Sequence, residues 1–263
     1  MLPITIIDAF TDKPFSGNPA AVCLTDTPIS DELMQQVAFE MHRSETAFLV
    51  PKGAGEWSLR WFTPSVEVDL CGHATLASAF FLWQKKAVAE TETIKFHTHS
   101  GILTAKKVGE KIELDFPALR VTSCIFPTEV VKAVGAKLVF SGQKGLFTLF
   151  EVESAQALRS LNPDLRTMLA HNIGMFVVTA ESDDPQYDVV SRFFAPGAGV
   201  DEDPVTGSAH CVLAPYWAEQ LGKNPLLAYQ ASHRGGAIEM EWKDKRVYLR
   251  GTAVEVFRGD FLL

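Results

Sequence analysis

The sequence predicts an α+β protein of two similar domains, each a β-sheet or barrel layer wrapped around a central buried helix. Three observations predict this class. A motif recurs about half a chain apart, each copy leads into a long apolar segment, and short strand patterns fill most of the remaining 263 residues. Self-similarity at one fixed offset indicates that a structural unit has been duplicated.

The two copies of the repeat have the same internal order. The first is Arg-Trp-Phe-Thr-Pro at 60–64, followed by Cys-Gly-His-Ala at 71–74. The second is Arg-Phe-Phe-Ala-Pro at 192–196, followed by Thr-Gly-Ser-Ala at 206–209. We therefore predict domains at 1–118 and 119–263, with a last strand that is able to pack back on the first domain. The junction is expected in the segment bounded by Pro117 and Pro127, which lacks clear periodicity.

A long apolar segment follows each small-residue turn. Ala74 to Trp83 and Ala209 to Leu221 are apolar nearly all round, which in a water-soluble protein indicates a helix buried inside its domain. Gly222 is a suitable stop for the second helix, because glycine readily adopts the left-handed conformation found at helix ends.

Other segments predict surface helices and strands. Ser30 is a candidate N-cap, with acidic residues in the favourable first turn after it, and Ala155 to Ala170 predicts a helix interrupted at Pro163. Short runs rich in β-branched and aromatic residues predict strands at 4–10, 20–24, 46–50, 111–116, 175–179 and 247–250.

Composition narrows the possible partners. The chain has 24 basic and 32 acidic side chains and a net charge of −8, which disfavours binding to nucleic acid. No apolar run approaches the ~18 residues of a membrane span, and the N-terminus lacks the features of a signal peptide. The four cysteines show no metal-ligand spacing. We expect a cytoplasmic protein with a small-molecule partner, without metal or cofactor, in an assembly that is most commonly a homodimer.

The two small-residue turns suggest a site that binds an anion. A helix start offers unpaired backbone N–H groups and a positive dipole end, which favour an anion. Two such starts facing one cleft would hold a carboxylate and stabilise an enolate as it forms. Such a cleft also needs a base, and the acids and other proton carriers near the turns are Glu45, Asp69, Cys71, His73, Asp201, Glu202 and Asp203.

Four stretches, in this order, carry a family resemblance that covers almost the whole chain. They are Gly-Asn-Pro-Ala-Ala-Val at 17–22, Ser-Glu-Thr-Ala-Phe at 44–48, Asp-Leu-Cys-Gly-His-Ala-Thr at 69–75 and Glu-Asp-Pro-Val-Thr-Gly-Ser-Ala at 202–209. With them the sequence resembles the PhzF family of phenazine-biosynthesis-like isomerases, which share the diaminopimelate epimerase fold. The resemblance implies a cofactor-independent isomerase that catalyses a 1,3-hydrogen shift on a small carboxylate-bearing metabolite in an inter-domain cleft.

The resemblance also implies roles for individual residues. Glu45 is the implied general acid/base that shuttles the proton. The implied substrate-binding residues are Asn18, Gly72, His73, Asp203, Gly207 and Ser208, of which the glycines leave backbone donors open. Asn18 has a second interpretation, because asparagine between glycine and proline also shapes a turn.

Cys71 leaves two alternatives open. In the related epimerases a cysteine at the start of each helix acts as a base, but Thr206 stands at the second position here, and a hydroxyl does not readily ionise near neutral pH. One alternative is therefore an epimerase or racemase that uses Cys71 with a second base. The other is a non-catalytic member of the fold that binds a small molecule or a protein. A Cys71–His73 nucleophile pair is disfavoured, because helical residues two positions apart do not face each other.

Some remaining polar residues have structural interpretations. Arg60 and Arg192 occupy equivalent repeat positions and are expected to pair with acids at the domain interface. His210, in the first turn of a buried helix, is expected to be hydrogen-bonded within the core. His97 and His99 alternate along a strand, and a solvated strand face explains them better than half a metal site.

Overall fold

The computed structural model describes residues 1–262 and divides into two compact units. Unit 1 comprises Met1–Phe116 together with the chain from Tyr248 onward, and unit 2 comprises Pro117–Val247. The C-terminal strand joins unit 1 because it pairs antiparallel with the first strand of the chain along its whole length. No helix among the described residues is both long enough and apolar enough to cross a bilayer.

Unit 1 contains a sheet of mostly antiparallel strands and two helices. Its strands are β1 (Leu2–Ala9), β2 (Asn18–Leu24), β3 (Glu45–Gly53), β4 (Glu56–Phe62), β5 (Glu67–Val68), β6 (Ile94–Thr98), β7 (Gly101–Val108), β8 (Lys111–Pro117) and the returning β18 (Ala253–Phe261), and its helices are α1 (Asp31–Met41) and α2 (Gly72–Gln84).

Unit 2 is built from the same kinds of element. Its strands are β9 (Thr122–Ser123), β10 (Leu138–Lys144), β11 (Phe147–Val152), β12 (Met175–Glu181), β13 (Val189–Ala195), β14 (Val200–Asp203), β15 (Leu226–Gln230) and β16 (Gly236–Lys243), and its helices are α3 (Thr128–Val134), α4 (Ala155–Arg159), α5 (Leu165–Ala170) and α6 (Gly207–Leu221). β17 (Arg246–Gly251) carries the chain back into unit 1.

The order of strand pairing confirms the predicted duplication. In unit 1, β1–β2 is antiparallel, β2–β3 parallel, β3–β4 and β4–β5 antiparallel, β4–β6 parallel and β6–β7 antiparallel. In unit 2 the same succession runs through β10–β11, β11–β12, β12–β13, β13–β14, β13–β15 and β15–β16. The α+β class with two similar sheet-and-helix domains is therefore correct.

A buried helix occupies the equivalent place in each unit. α2 packs against β1, β2 and β3, and α6 packs against β16 and β11. Ten of the thirteen residues of α2 are buried, which explains why its sequence lacks a polar face. Both helices begin two residues earlier than the apolar segments predict, at Gly72 and Gly207, and α6 ends at Gly222 with a left-handed φ of 59°.

The surface helices follow local signals in the sequence. The Ser30 hydroxyl accepts a hydrogen bond from the Leu33 amide at 3.2 Å and caps α1. The segment 155–170 forms two short helices, because Pro163 stands between them and cannot donate the hydrogen bond that would continue the first. The second of them begins at Asp164, whose carboxylate accepts from the Thr167 amide at 3.1 Å.

An arginine–glutamate pair recurs in the hairpin before each buried helix. Arg60 donates from Nε and Nη2 to Glu67 at 2.6 and 2.7 Å, and Arg192 donates in the same way to Glu202 at 2.7 and 2.9 Å. Each pair joins two antiparallel strands of its own unit, so the expected pairing of both arginines with acids is confirmed. In both copies the partner is the glutamate four residues before the N-cap of the buried helix.

Candidate active site

The start of α2 leaves its backbone donors open. Cys71 is the N-cap residue, with extended backbone angles of φ −143° and ψ 112°, and its side chain makes no capping hydrogen bond. The first N–H groups of a helix have no partner within the helix. The turn at Gly72 therefore offers both polar hydrogens and the positive end of the helix dipole.

Three predicted site residues meet at this helix start. Asn18 begins β2 and Glu45 begins β3, and these neighbouring strands run parallel, so both side chains lie at the same end of the sheet. His73 lies in the first turn of α2. Its Nδ1 is 3.2 Å from Asn18 Nδ2, and its Nε2 is 3.1 Å from Glu45 Oε2.

Ser44 completes this chain of contacts, although no sequence pattern indicated a role for it. Its hydroxyl donates to Asn18 Oδ1 at 3.3 Å, which turns the amide NH₂ group toward His73. The Asn18 amide and His73 Nδ1 are thereby brought into contact, and the protonation of the ring sets which of the two donates. The available signal was the position of Ser44 directly before Glu45 in one of the four motif stretches.

Cys71 lies closer to His73 than the sequence suggested. Its Sγ is 3.5 Å from His73 Nδ1 and 3.9 Å from Nε2. The expectation that these two side chains do not face each other is wrong, because Cys71 is an extended N-cap residue to which helical spacing does not apply. One ligand atom each of Cys71, His73 and Glu45 lies within 4.8 Å of the other two.

Burial and charge set the protonation of the cluster. Burial, aided by the negative charge of Glu45, raises the pKa of the Cys71 thiol to about 11, so the thiol is neutral near pH 7. Burial opposes a charged His73, but the contact with Cys71 and the negative charge of Glu45, 3.1 Å from Nε2, outweigh it and hold the pKa of His73 above its usual value. Glu45 Oε2 is itself buried and, despite its distance of 3.1 Å from Nε2, makes no hydrogen bond to any described residue.

The start of α6 carries the equivalent turn of unit 2. Thr206 is its N-cap, again extended (φ −114°, ψ 101°) and again without a side-chain cap. The Thr206 hydroxyl donates instead to Asp203 Oδ2 in a short hydrogen bond. Gln230, which is fully buried, accepts from the Thr206 amide at 2.8 Å and donates to the Asp203 carbonyl at 2.8 Å.

His210 supports this turn from inside unit 2. Its Nδ1 lies 2.7 Å from the Thr206 carbonyl, as the prediction of a core hydrogen bond requires. Burial lowers the pKa of His210 to about 4, so the ring is neutral near pH 7. His210 Nε2 is buried without a hydrogen-bond partner among the described residues.

The predicted site residues thus fall into one group in each unit. Asn18, Glu45, Gly72 and His73 come together at the start of α2, and each of these residues is buried or half-buried. Asp203, Gly207 and Ser208 lie at the start of α6, where Gly207 and Ser208 occupy the places that Gly72 and His73 hold in α2.

Known proteins resemble this chain over its full length. The sequence profile described as "Phenazine biosynthesis-like protein" (PhzC-PhzF) matches residues 7–259. An uncharacterised isomerase of Halalkalibacterium halodurans is 50% identical over 262 residues, covering 99% of this chain and 98% of that protein.

Solved structures agree with the profile. A PhzF-family protein of Enterococcus faecalis superposes with a TM-score of 0.95 at 40% identity, covering 100% of this chain and 99% of that one. A probable proline racemase of Agrobacterium radiobacter, at 12% identity and a TM-score of 0.64 over 100% of this chain and 93% of that one, shares the fold alone. The chain therefore belongs to the phenazine biosynthesis-like PhzC-PhzF family, as its four motif stretches predicted.

Proposed function

We propose that this protein is an isomerase that moves a hydrogen between two carbon atoms of a small carboxylate-bearing metabolite, with Glu45 as the general acid/base and without metal or cofactor. The observation that carries the proposal is the free acceptor position on Glu45 Oε2, a buried oxygen beside His73. A buried carboxylate oxygen without a donor is costly to maintain, and such groups are typical of catalytic sites. The full-length relative named as an isomerase supports the same reaction class.

In the proposed reaction Glu45 takes a proton from one carbon of the substrate. The electron pair left behind is delocalised toward the substrate carboxylate as an enolate, and the same glutamic acid returns the proton two carbons away, so that no atom or electron is lost. Open N–H groups at the Gly72 turn stabilise the negative charge while it exists. The charge of His73, whose Nε2 lies 3.1 Å from Oε2, attracts the Glu45 carboxylate and keeps it at the start of α2.

The binding roles of Asn18, Gly72, His73, Asp203, Gly207 and Ser208 are part of this proposal. Asp203→Asn and Ser208→Ala are expected to raise KM more than they lower kcat if these side chains bind substrate without moving the proton. We also expect the protein to be cytoplasmic and to form a homodimer. Light scattering of the purified protein tests the dimer.

Solvent exchange tests the acid/base role. A thermal-shift screen of carboxylate metabolites first identifies a ligand, because binding to the native state raises the melting temperature. In D₂O the wild type should then incorporate one deuterium into that ligand. Glu45→Gln should bind the ligand but exchange it at least ~100-fold more slowly, which is the usual contribution of general acid/base catalysis.

Glu40→Gln is the matched control, because Glu40 is an exposed acid on α1. That variant should exchange at the wild-type rate. Equal exchange rates in Glu45→Gln and wild type would remove Glu45 from the reaction. Ligand binding without any exchange by the wild type would favour the non-catalytic alternative.

An epimerase that uses Cys71 is the second candidate, favoured by the 3.5 Å contact between Sγ and His73 Nδ1. The raised pKa of the thiol argues against it, because a neutral thiol is a poor base. Cys71→Ser separates the candidates. A thiol-dependent epimerase should lose its activity and its inversion of configuration, whereas the Glu45 mechanism should largely keep its exchange rate.

A further inference from the structure

Gln230 is a buried amide that holds the turn before α6 with both of its ends. It is the last residue of β15 and is fully buried. Its Oε1 accepts a hydrogen bond from the Thr206 amide, and its Nε2 donates to the Asp203 carbonyl, both at 2.8 Å. A backbone N–H only donates and a backbone carbonyl only accepts, so these two contacts fix the orientation of the side-chain amide. A buried amide with both ends paired restrains the segment that it contacts.

The same amide also orients the Asp203 carboxylate. Gln230 Nε2 lies 3.2 Å from the Thr206 hydroxyl oxygen, and an amide nitrogen is only a donor. The Thr206 hydroxyl therefore accepts from Gln230 and gives its own hydrogen to Asp203 Oδ2. Through these contacts the buried glutamine determines the position of a carboxylate that is itself half-buried.

Thr206 is held from its other side by His210. His210 Nδ1 lies 2.7 Å from the Thr206 carbonyl, which belongs to the peptide group that joins Thr206 to Gly207. The C=O and N–H of a trans peptide group point in opposite directions, so this contact directs the Gly207 N–H away from His210. The Gly207 N–H is the first of α6 and has no partner within the helix. Gln230 and His210 together therefore fix the residue that sets the direction of this N–H.

Unit 1 has a threonine at the equivalent position. In each unit a serine of the loop after this strand, Ser100 or Ser232, donates to the backbone carbonyl two residues before the N-cap, at 2.8 and 2.7 Å. Thr98 ends β6 as Gln230 ends β15, but its hydroxyl donates to the Gly101 carbonyl of its own hairpin. The glutamine is thus an addition to a shared arrangement, which indicates a task specific to the start of α6.

We propose that Gln230 is a positioning residue, which holds the Gly207 N–H and the Asp203 carboxylate in the geometry that binds the substrate. This role rests on the proposed function, which gives Gly207 and Asp203 their binding roles. A binding group that is fixed in advance loses less conformational entropy when its ligand arrives. Glu45, the proposed acid/base, lies in unit 1. Loss of Gln230 should therefore weaken binding, while proton transfer at saturating substrate keeps its rate.

Amide hydrogen exchange of the ¹⁵N-labelled protein tests the contact itself, without any ligand. In the wild type the Thr206 amide should exchange at least ~100-fold more slowly than in an unstructured peptide, because its acceptor is buried. Gln230→Met, which keeps the length of the side chain but neither hydrogen bond, should remove this protection. Gln143→Met is the matched control, because Gln143 is an exposed glutamine of the same unit. An unprotected Thr206 amide in the wild type, or protection unchanged in Gln230→Met, would overturn the proposal.

Sodium acetate is the probe for binding, because it is a carboxylate without further polar groups. It is titrated at constant ionic strength while the amide resonances of Gly207 and Gly72 are followed. At Gly207 the dissociation constant of acetate should rise about 10-fold in Gln230→Met, the usual effect of one lost hydrogen bond. The response at Gly72, which begins the other buried helix, should be the same in both proteins. Equal affinity at Gly207 in both proteins, no response of Gly207 in the wild type, or an equal loss at both glycines would refute the positioning role.

Gln230→Glu provides a rescue by a conservative variant. A protonated carboxyl group accepts and donates as the amide does, whereas a carboxylate only accepts. The acetate affinity at Gly207 should therefore be low in this variant at pH 8 and recover toward pH 5.5, where acetate itself is still ionised, because burial favours the protonated carboxyl group. The wild type should show no such recovery. Affinity that stays low in Gln230→Glu, or changes equally with pH in the wild type, would contradict the proposal. Circular dichroism verifies that each variant folds, and this variant replaces Gln230→Met if that protein does not fold.

Kinetics separate the role of Gln230 from that of Glu45. With the carboxylate that the thermal-shift screen identifies, Gln230→Met should raise KM about 10-fold and change kcat for deuterium exchange by less than ~3-fold. A lower kcat at unchanged KM would refute the positioning role. Normal exchange in Glu45→Gln, together with weakened acetate binding in Gln230→Met, would remove Glu45 from the reaction and leave the role of Gln230 intact.

Discussion

The side-chain amide of Asn18 lies 3.2 Å from His73 Nδ1, although 55 positions separate the two residues in sequence. Asn18 is fully buried, and the left-handed Gly17 before it directs the chain into β2. Through His73 the amide is connected to Glu45, so a residue that shapes the entry of a strand also sets the orientation of the proposed acid/base group.

Replacing Asn18 by alanine should therefore affect both folding and exchange. The variant removes the amide that contacts the buried Nδ1 of His73. Loss of this partner should lower the free energy of unfolding by about 1–3 kcal/mol. Misorientation of His73 should slow deuterium exchange about 10- to 100-fold. Urea denaturation and the D₂O assay measure the two effects. Asn162→Ala, at an exposed position, should leave both close to wild type, and equal behaviour of the two variants would contradict the role of Asn18.

His210 should make the protein sensitive to acid. Its folded-state pKa of about 4 lies below the usual 6.5. Between these two pH values His210 is therefore protonated in the unfolded chain and neutral in the folded protein. Stability from this residue is present above pH 6.5 and is lost as the pH falls from 6.5 toward 4, by about 3 kcal/mol in total. His210→Gln should flatten the dependence of unfolding free energy on pH in this window. Exposed His233→Gln should not, and parallel curves for wild type and His210→Gln would refute the assignment.

The repeated arginine pair should contribute more than a surface ion pair. Arg192 is 13% exposed, binds Glu202 through two nitrogens, and also donates to the Leu161 carbonyl at 2.7 Å. Arg192→Ala should lower the unfolding free energy by about 3 kcal/mol, because the Glu202 carboxylate and the Leu161 carbonyl lose their hydrogen-bond donor. Arg159→Ala, which breaks an exposed pair with Asp183, should cost less than ~1 kcal/mol. Chemical denaturation of both variants measures which substitution lowers the unfolding free energy more.

Gly17 should not tolerate a side chain. Its φ is +66°, and a Cβ atom there would lie 2.2 Å from the Ala9 carbonyl oxygen. Gly17→Ala should cost about 2–4 kcal/mol and displace Asn18. Gly145 has a similar φ of +57° but open space around it, so Gly145→Ala reports the backbone strain alone, about 1 kcal/mol. Equal melting temperatures for the two variants would show that the close approach at Gly17 relaxes without cost.

Local chemistry explains the elements that the sequence predicted well. The Ser30 cap, the break at Pro163 and the stop at Gly222 each depend on residues within one helical turn, and each prediction is confirmed. The apolar segments after the two turns predicted buried helices, because a helix without a polar face is stable only where water is excluded.

The sequence by itself thus determined the family, the duplicated α+β fold and the residue types available for proton transfer. Only the tertiary structure decided that Cys71 contacts His73, that Ser44 and Asn18 orient the imidazole, and that each repeat arginine pairs within its own unit. The reason is that helix and turn preferences act over a few residues, whereas these contacts depend on the parallel pairing of β2 with β3 and on the placement of α2 against them. Side-chain contacts between distant segments follow from packing, which no local pattern encodes.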